Sequence, residues 1–375
     1  MANRAVKYRL YPTTEQAIFF AKTFGCCRKV YNLMLADKIK SYQETKSFGR
    51  QTPAMYKADY PYLREVDSLA LANVQLNLQQ AMKNCFDSKN HYGFPKFKSA
   101  KHNRKSYTTN NQEGTVAITG NSIKLPKIGY IKAKIHRQFD SEWKIKSATV
   151  SQDCDGKFYV SVLFEYEAVI TFVPKTSTNA IGLDYKSDGL YMDSNGSIGS
   201  NHKYYRQSHD KLAKAQRRLS RKCGSRKGEI KSNNYIKQQK RVARIHRHIA
   251  NQRLDDLHKL STEIANQYDI VCVESLNMRA MSNKDFGNGK ATLDNGYGLF
   301  LLMLEYKLAD RGKYFVKVNK WYSSSQLCSC CGNKHKLALS ERVYTCSCGL
   351  VIDRDLNAAI NIRNEGLRLL HEEVA

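Results

Sequence analysis

Two groups of side chains in this sequence have the types and spacing to hold metal ions. Between 328 and 349 the chain reads CSCCGNKHKLALSERVYTCSCG. Taken as Cys328-x-x-Cys331 and Cys346-x-Cys348, it supplies four thiolates on two tight knuckles, with Gly332 and Gly349 permitting the turns. Tetrahedral Zn–S₄ is the expected chemistry of such a set, as a closed structural site that contributes folding free energy. Cys330 is spare or alternates with Cys328, and the pattern is also open to an iron–sulfur cluster or to uncoordinated thiols. The second group is carboxylates. Asp184 closes the apolar run Ala180-Ile181-Gly182-Leu183, and Glu274 closes Ile270-Val271-Cys272-Val273. An acid at the end of a buried strand is costly unless it is paired or binds a cation. With an aspartate from a helix start, two such strands gather three hard oxygen ligands, which select Mg²⁺ or Mn²⁺; a pair of these ions suits phosphodiester hydrolysis. A single acid at a strand end is also a common cap, so the convergence of three is what matters. The helix start offers two candidates, Asp353 and Asp355, both favoured by the helix dipole. Being two apart they face different ways, and apolar spacing does not choose between them.

The elements that must position these groups follow from periodicity. RAVKYRLYP alternates as a strand stopped by Pro12, and Thr13 or Thr14 then caps a long helix with Glu15 and Gln16 in its first turn. A second helix covers SLALANVQLNLQQAMKNCFDS, with Leu69, Leu71, Leu76, Leu78 and Met82 as its apolar members. From about 103 to 170 the texture is short β-rich runs with turn signals between them, read as a small antiparallel barrel that the opening strand can join. VPKTSTN, 173–179, is the expected linker. Beyond it, strands alternate with helices in a mixed α/β layout.

The chain has 375 residues and a formal net charge of +27, a field that attracts polyanions. Residues 201–250 hold sixteen Lys/Arg against two acids, including Lys211, Lys214, Arg217, Arg218, Arg221, Arg241, Arg244 and Arg247. A helical hairpin is expected there, turning at GSRKG, 224–228. One face is apolar through Ile245, Ile249, Leu257, Leu260 and Ile264, and the other is basic for phosphate contact without sequence choice. The start, MANRAVKYRLYP, lacks the apolar stretch of a signal peptide, and no run of about 18 apolar residues suggests a membrane span. Of the eleven cysteines, five fall in the 328–348 cluster, which argues for metal rather than disulfides.

At this point the chain resembles a known family. KYRLYPTTEQ…FGCCRKVYN, SYTTNN, GFPKFKS, VESLN, SSSQLCSCCGNK and C-G-x-x-x-D-R-D-x-N-A-A are similar to the TnpB (OrfB) proteins of insertion sequences, over nearly the whole length. The resemblance implies an RNA-guided DNA endonuclease, related to compact type V CRISPR effectors. Its implied fold is α/β plus β-barrel and helical lobe. A wedge-like barrel spans 1–12 and 100–172, with a helical recognition lobe inserted at 13–99. A RuvC-like, RNase H-like nuclease domain spans 178–375, with a basic helical insertion at 203–267 and a zinc ribbon at 325–350. The implied catalytic triad is Asp184, Glu274 and Asp355, which leaves Asp353 as a helix cap, and the implied zinc ligands are Cys328, Cys331, Cys346 and Cys348.

Two departures from the family stand out. Many relatives have Asp-Leu-Gly where this chain has Asp184-Tyr185-Lys186, and many have C-x-x-C where it has Cys346-x-Cys348. Neither deletes a catalytic group. Tyr56, Asn73, Gln75, Asn77 and Gln80 are candidates to read the short motif beside the target, while base pairing to a guide RNA reads the rest. The implied cofactors are Mg²⁺ or Mn²⁺, one structural Zn²⁺ and the guide RNA, with double-stranded target DNA as partner and the cytoplasm, at the nucleoid, as location. Two other functions use similar residues: an RNA-independent RNase H-type transposase, and a guide-dependent repressor that binds without cutting.

Overall fold

The computed structural model describes residues 2–372 apart from 89–91, 102–103, 141, 224–230, 284–288 and 339–340. The chain forms two units, 1–168 and 169–375. In the first, strand β1 (Ala2–Tyr11) buries Val6, Tyr8 and Leu10 on one face. Thr13 then caps helix α1 (Thr14–Thr45): its Oγ1 accepts the Gln16 N–H at 3.3 Å, and the Gln16 side chain accepts the Thr13 N–H at 3.1 Å. Two orphan donors are satisfied reciprocally. Two 3₁₀ turns lead to α2 (Ser68–Phe86), capped by the buried Asp67, which accepts the N–H groups of Leu69 and Ala70. The Thr109 hydroxyl also donates to Asp67, tying α2 to the following sheet. The buried face of α2 is Ala70, Leu71, Val74, Leu78 and Met82; Leu76, expected among its apolar members, points to solvent.

The sheet adds β2 (Lys105–Asn110), β3 (Ala117–Thr119), β4 (Ser122–Leu125), β5 (Gly129–Lys134), β6 (Lys144–Gln152) and β7 (Phe158–Tyr166), in the antiparallel order β2-β6-β7-β1-β5-β4-β3. The opening strand therefore lies inside the sheet, Val6 opposite Val162 and Leu10 opposite Ala133. The expected barrel is corrected to a curled open sheet, because its two edges, β2 and β3, do not pair. Between them the Asn111 amide donates to the Ile145 carbonyl and accepts the Val116 N–H, each at 2.9 Å. That folds the connection into a compact loop instead of a hairpin.

The second unit is built on β8 (Ala180–Tyr185), β9 (Tyr191–Asp193), α3 (Tyr204–Arg221), α4 (Asn233–Gln267), β10 (Ile270–Glu274), α5 (Met278–Met281), α6 (Gly289–Asn295), α7 (Tyr297–Ala309), β11 (Tyr314–Val318), β12 (Val343–Thr345), β13 (Val351–Asp353) and α8 (Arg354–Glu372). Its main sheet has the order β11-β10-β8-β9, with β10 parallel to both neighbours and β9 antiparallel to β8. Alternation along the strands divides its faces. Ile181, Leu183, Val271 and Val273 pack with α4 and α7, and Ile270, Cys272 and Val318 pack with Ile362 and Leu370 of α8. Gly182 lies on the α8 side, where a Cβ would collide with the Ala359 carbonyl and stand 2.7 Å from the Arg363 nitrogen. The expected linker 173–179 belongs to this unit: Val173 donates to the Gly312 carbonyl at 2.9 Å, and the Asn179 amide to that of Gln267 at 2.9 Å. No helix among the described residues is long and apolar enough to cross a membrane.

Two glycine substitutions separate close approach from mere helix entropy. Gly182→Ala is expected to lose about 3 kcal/mol of stability through backbone overpacking. Gly25→Ala, inside α1 with nothing within 4 Å of its Cβ position, is expected to gain about 0.5–1 kcal/mol. Urea unfolding of the two variants measures both signs.

Candidate functional site

Asp184 and Glu274 stand at the carboxyl ends of adjacent parallel strands, just past the pair Leu183 and Val273. Burial, then the charges of Glu274 and Asp355, push the Asp184 carboxyl up to about 8, and burial raises Glu274 too. Tyr297 at the start of α7 is fully buried, and among the described residues its hydroxyl finds no hydrogen-bond partner. Burial, followed by the charges of Asp184 and Glu274, makes that phenol a weaker acid still.

Helix α8 brings the third acid, and the two candidates at its start differ in what their oxygens do. Asp353 Oδ1 accepts the N–H groups of Asp355 at 2.9 Å and Leu356 at 3.0 Å, so it caps the helix. Asp355 caps nothing. Its Oδ2 accepts from Lys186 Nζ at 2.6 Å, and its Oδ1 lies 3.8 Å from Arg354 Nε. The three carboxylates are hard oxygen donors, and their mutual repulsion is what a divalent cation would relieve. Among the described residues, however, only the four thiols, and not these three acids, are gathered closely enough to hold a metal ion as they stand.

The four thiols of Cys328, Cys331, Cys346 and Cys348 do converge, all within 4.8 Å. Cys328 Sγ lies 3.6 Å from Cys348 Sγ, and Cys331 Sγ lies 3.6 Å from Cys346 Sγ. A tetrahedron with Zn–S near 2.3 Å has edges of about 3.8 Å, so the spacing fits that ion. Each knuckle is a tight turn, the N–H of Gly332 donating to the Cys328 carbonyl and that of Gly349 to the Cys346 carbonyl, with φ of 75° and 92° at the glycines. A backbone N–H from Cys348, then neighbouring thiols, lower the Cys346 pKa toward the thiolate that a metal needs. Cys330 is exposed and outside the cluster.

Sequence reasoning missed Asn357 and Asn361, both buried on α8. Their amides donate to the Leu327 carbonyl at 2.7 Å, and Asn357 also accepts the Ser329 N–H at 3.0 Å. The first knuckle is thereby fastened to the helix that carries Asp355. The signal was two amides four apart on an otherwise apolar face. Tyr297 was missed because nothing local sets it apart from a core tyrosine.

The basic helices α3 and α4 pack through Leu212, Ala215 and Val242. Lys211, Lys214, Arg217, Arg218, Arg221, Arg241 and Arg244 are exposed and Arg247 is half-buried; the turn expected at 224–228 lies outside the described residues. On α2, Asn73, Asn77 and Gln80 share one face and Gln75 lies on another. Asn73 and Asn77 line a cavity of about 200 Å³ with Arg28, Lys98 and Arg104. Tyr56 is corrected: it is buried, with its hydroxyl donating to Asp37 at 2.5 Å, so it is not an exposed base reader.

Three family matches cover much of the chain: "Helix-turn-helix domain" of the OrfB group at 1–47, "Probable transposase" at 163–285, and "Cas12f1-like, TNB domain" at 297–362. A Streptomyces pristinaespiralis protein named "Putative RNA-guided DNA endonuclease" is 36% identical over 97% of this chain and 89% of its own. The chain belongs to the TnpB (OrfB) family. An Escherichia coli K12 relative, "Putative RNA-guided DNA endonuclease InsQ", is 29% identical over 98% of this chain and 93% of its own. The fold of this TnpB-family chain is similar to Cas12f1 in a solved complex with single guide RNA and target DNA, with a TM-score of 0.56 at 12% identity over 94% of this chain and 83% of the other. The 1–47 match is named for a helix-turn-helix, yet here it holds β1 and the unbroken α1. The 297–362 match takes in all four thiols, Asp355 and Asn357.

The raised Asp184 gives this TnpB-family chain a pH signature. Its carboxyl, pushed up to about 8 in the folded chain, lies well above the ordinary carboxylate range, so the stability it contributes is present below that range and is lost as pH rises toward the upper value. With no divalent cation added, Asp184→Asn and wild type are expected to melt alike at the acid end and the variant to melt progressively higher as pH rises. Paired thermal melts across that range measure the difference.

Proposed function

We propose that this chain is an RNA-guided DNA endonuclease of a transposable element, cutting double-stranded DNA beside a short adjacent motif in a single RuvC-like, RNase H-type site. The observation that carries the proposal is Asp184 and Glu274 on neighbouring parallel strand ends, with Asp355 delivered beside them by α8. Asp184, Glu274 and Asp355 would hold Mg²⁺ or Mn²⁺. Bound there, the ions would supply an activated water and stabilise the leaving oxygen. Asp184 and Glu274 present oxygens from the sheet, the buried Tyr297 lies behind them, and Asp353 caps the helix so that Asp355 is spared that role.

In this reading the guide RNA and its DNA partner lie along basic surfaces, including α3 and α4, where counterion release supplies affinity and base pairing supplies sequence choice. Asn73, Asn77 and Gln80 are candidates for the adjacent motif. The four thiols hold one Zn²⁺ as a structural site, and the protein works in the cytoplasm at the nucleoid. An RNA-independent transposase would use the same acids, and sequencing the nucleic acid that co-purifies distinguishes the two: a discrete RNA ending in variable sequence supports the proposal, and its absence supports the rival.

Asp184→Ala is expected to lower Mg²⁺-dependent cleavage of a guide-matched plasmid by about a thousandfold or more, while RNA binding persists. Asp355→Asn should match it. Asp353→Asn should keep both cutting and stability, since asparagine caps a helix about as well as aspartate, while Asp353→Ala should keep cutting and lose about 1 kcal/mol of stability; equal loss of cleavage in Asp353→Asn and Asp355→Asn would contradict the division. Metal analysis should find about one zinc per chain, and Cys331→Ser should lose it together with several degrees of melting temperature.

A further inference from the structure

Two residues after Asp184 stands Lys186, whose Nζ is 2.6 Å from Asp355 Oδ2. Both side chains are mostly shielded, 18% and 17% exposed. The same ammonium lies 4.0 Å from Asp188 Oδ1, and the Asp188 side chain is 74% exposed. The lysine therefore stands between a shielded acid and a solvated one. Its backbone is pinned, the N–H donating to the Leu190 carbonyl at 3.3 Å and the carbonyl accepting from the buried Asn295 amide at 3.1 Å. Asn295 also donates to the Gly189 carbonyl, so the loop is held at both ends and only the four-carbon stem is free to swing.

We propose that Lys186 is a resident cation on Asp355, which a divalent ion must displace and which then moves to Asp188. The inference rests on the reading of Asp355 as an ion ligand. An ammonium in contact with Oδ2 occupies the position from which that oxygen would bind an ion, and two cations on one carboxylate oxygen repel. Arg354 Nε lies 3.8 Å from the other oxygen, Oδ1, so the lysine alone is in direct contact with Oδ2. Asp188 gives the displaced ammonium a partner in water, where burial does not oppose its charge, so release is easier than it would be into open solvent alone. Ion affinity at Asp355 is thus set by a competition inside the protein. The two residues that frame it should act with opposite sign: Lys186 weakens ion binding and Asp188 strengthens it.

The test is titration of the zinc-loaded full chain with Mn²⁺, followed by loss of the free-ion EPR signal, which reads binding without cleavage. Lys186→Met is expected to bind Mn²⁺ about fivefold more tightly, and Asp188→Asn about twofold more weakly. In the double variant Asp188→Asn should have no further effect, since its partner is gone. Lys186→Gln serves as a second variant that keeps a polar end and should also tighten binding. Asp355→Asn separates the two readings. If it weakens Mn²⁺ binding while Lys186→Met and Lys186→Gln leave it unchanged or weaken it, Asp355 remains a ligand and the competition is overturned. If Asp355→Asn binds Mn²⁺ as wild type does, the ligand assignment fails and the competition falls with it.

Discussion

Helix α8 lies so close upon strand β8 that residue 182 has no room for a side chain. Much of the second unit depends on that contact. The distance between a strand and a covering helix is set by the side chains between them, and here glycine removes that spacer. The start of α8 then comes down to the level of the strand ends, which places Asp355 within electrostatic reach of Asp184. The same helix carries Asn357 and Asn361 to the first thiol knuckle. One close approach thus sets the position of an acid and of the cysteine cluster. A second glycine, Gly366, repeats the device further along the helix, where a Cβ would run into Cys272.

Charge is arranged against this frame in two regimes. Around Asp184, Glu274 and Asp355 the acids stand together away from open water: burial raises the first two carboxyls, and an ammonium sits on the third. Along α3 and α4 the opposite sign accumulates in the open, where solvent and salt screen it. The first concentration is local and unsatisfied without a cation; the second is diffuse and suits a polyanion of any sequence.

Legibility followed the range of the interactions. The thiol pattern was readable because its ligands lie within two short turns, and the strand ends at 184 and 274 because an acid after four apolar residues is a local contrast. Asp353 and Asp355 were not separable by periodicity, since both suit a helix start. What distinguishes them is that Asp353 turns back onto two backbone N–H groups while Asp355 meets a lysine 169 positions away. Tyr56 was misread for the same reason: its partner Asp37 is on another element, and a tyrosine's amphipathic character fits core and surface alike. Alternation in the β-rich region announced strands and turns, but whether β2 meets β3 depends on the loop between them, which alternation does not encode.

The position of β1 inside the seven-stranded sheet has a consequence for how the protein is made. Leu10 pairs with Phe158, and the intervening chain contains both long helices of the unit. At the usual pace of synthesis β1 waits on the order of ten seconds for β7 to emerge. During that interval a ten-residue strand with an apolar face and two unpaired edges is exposed on the nascent chain. Its outward Lys7 and Arg9 then act as gatekeepers, holding it apart from other nascent strands by repulsion until its own partners arrive.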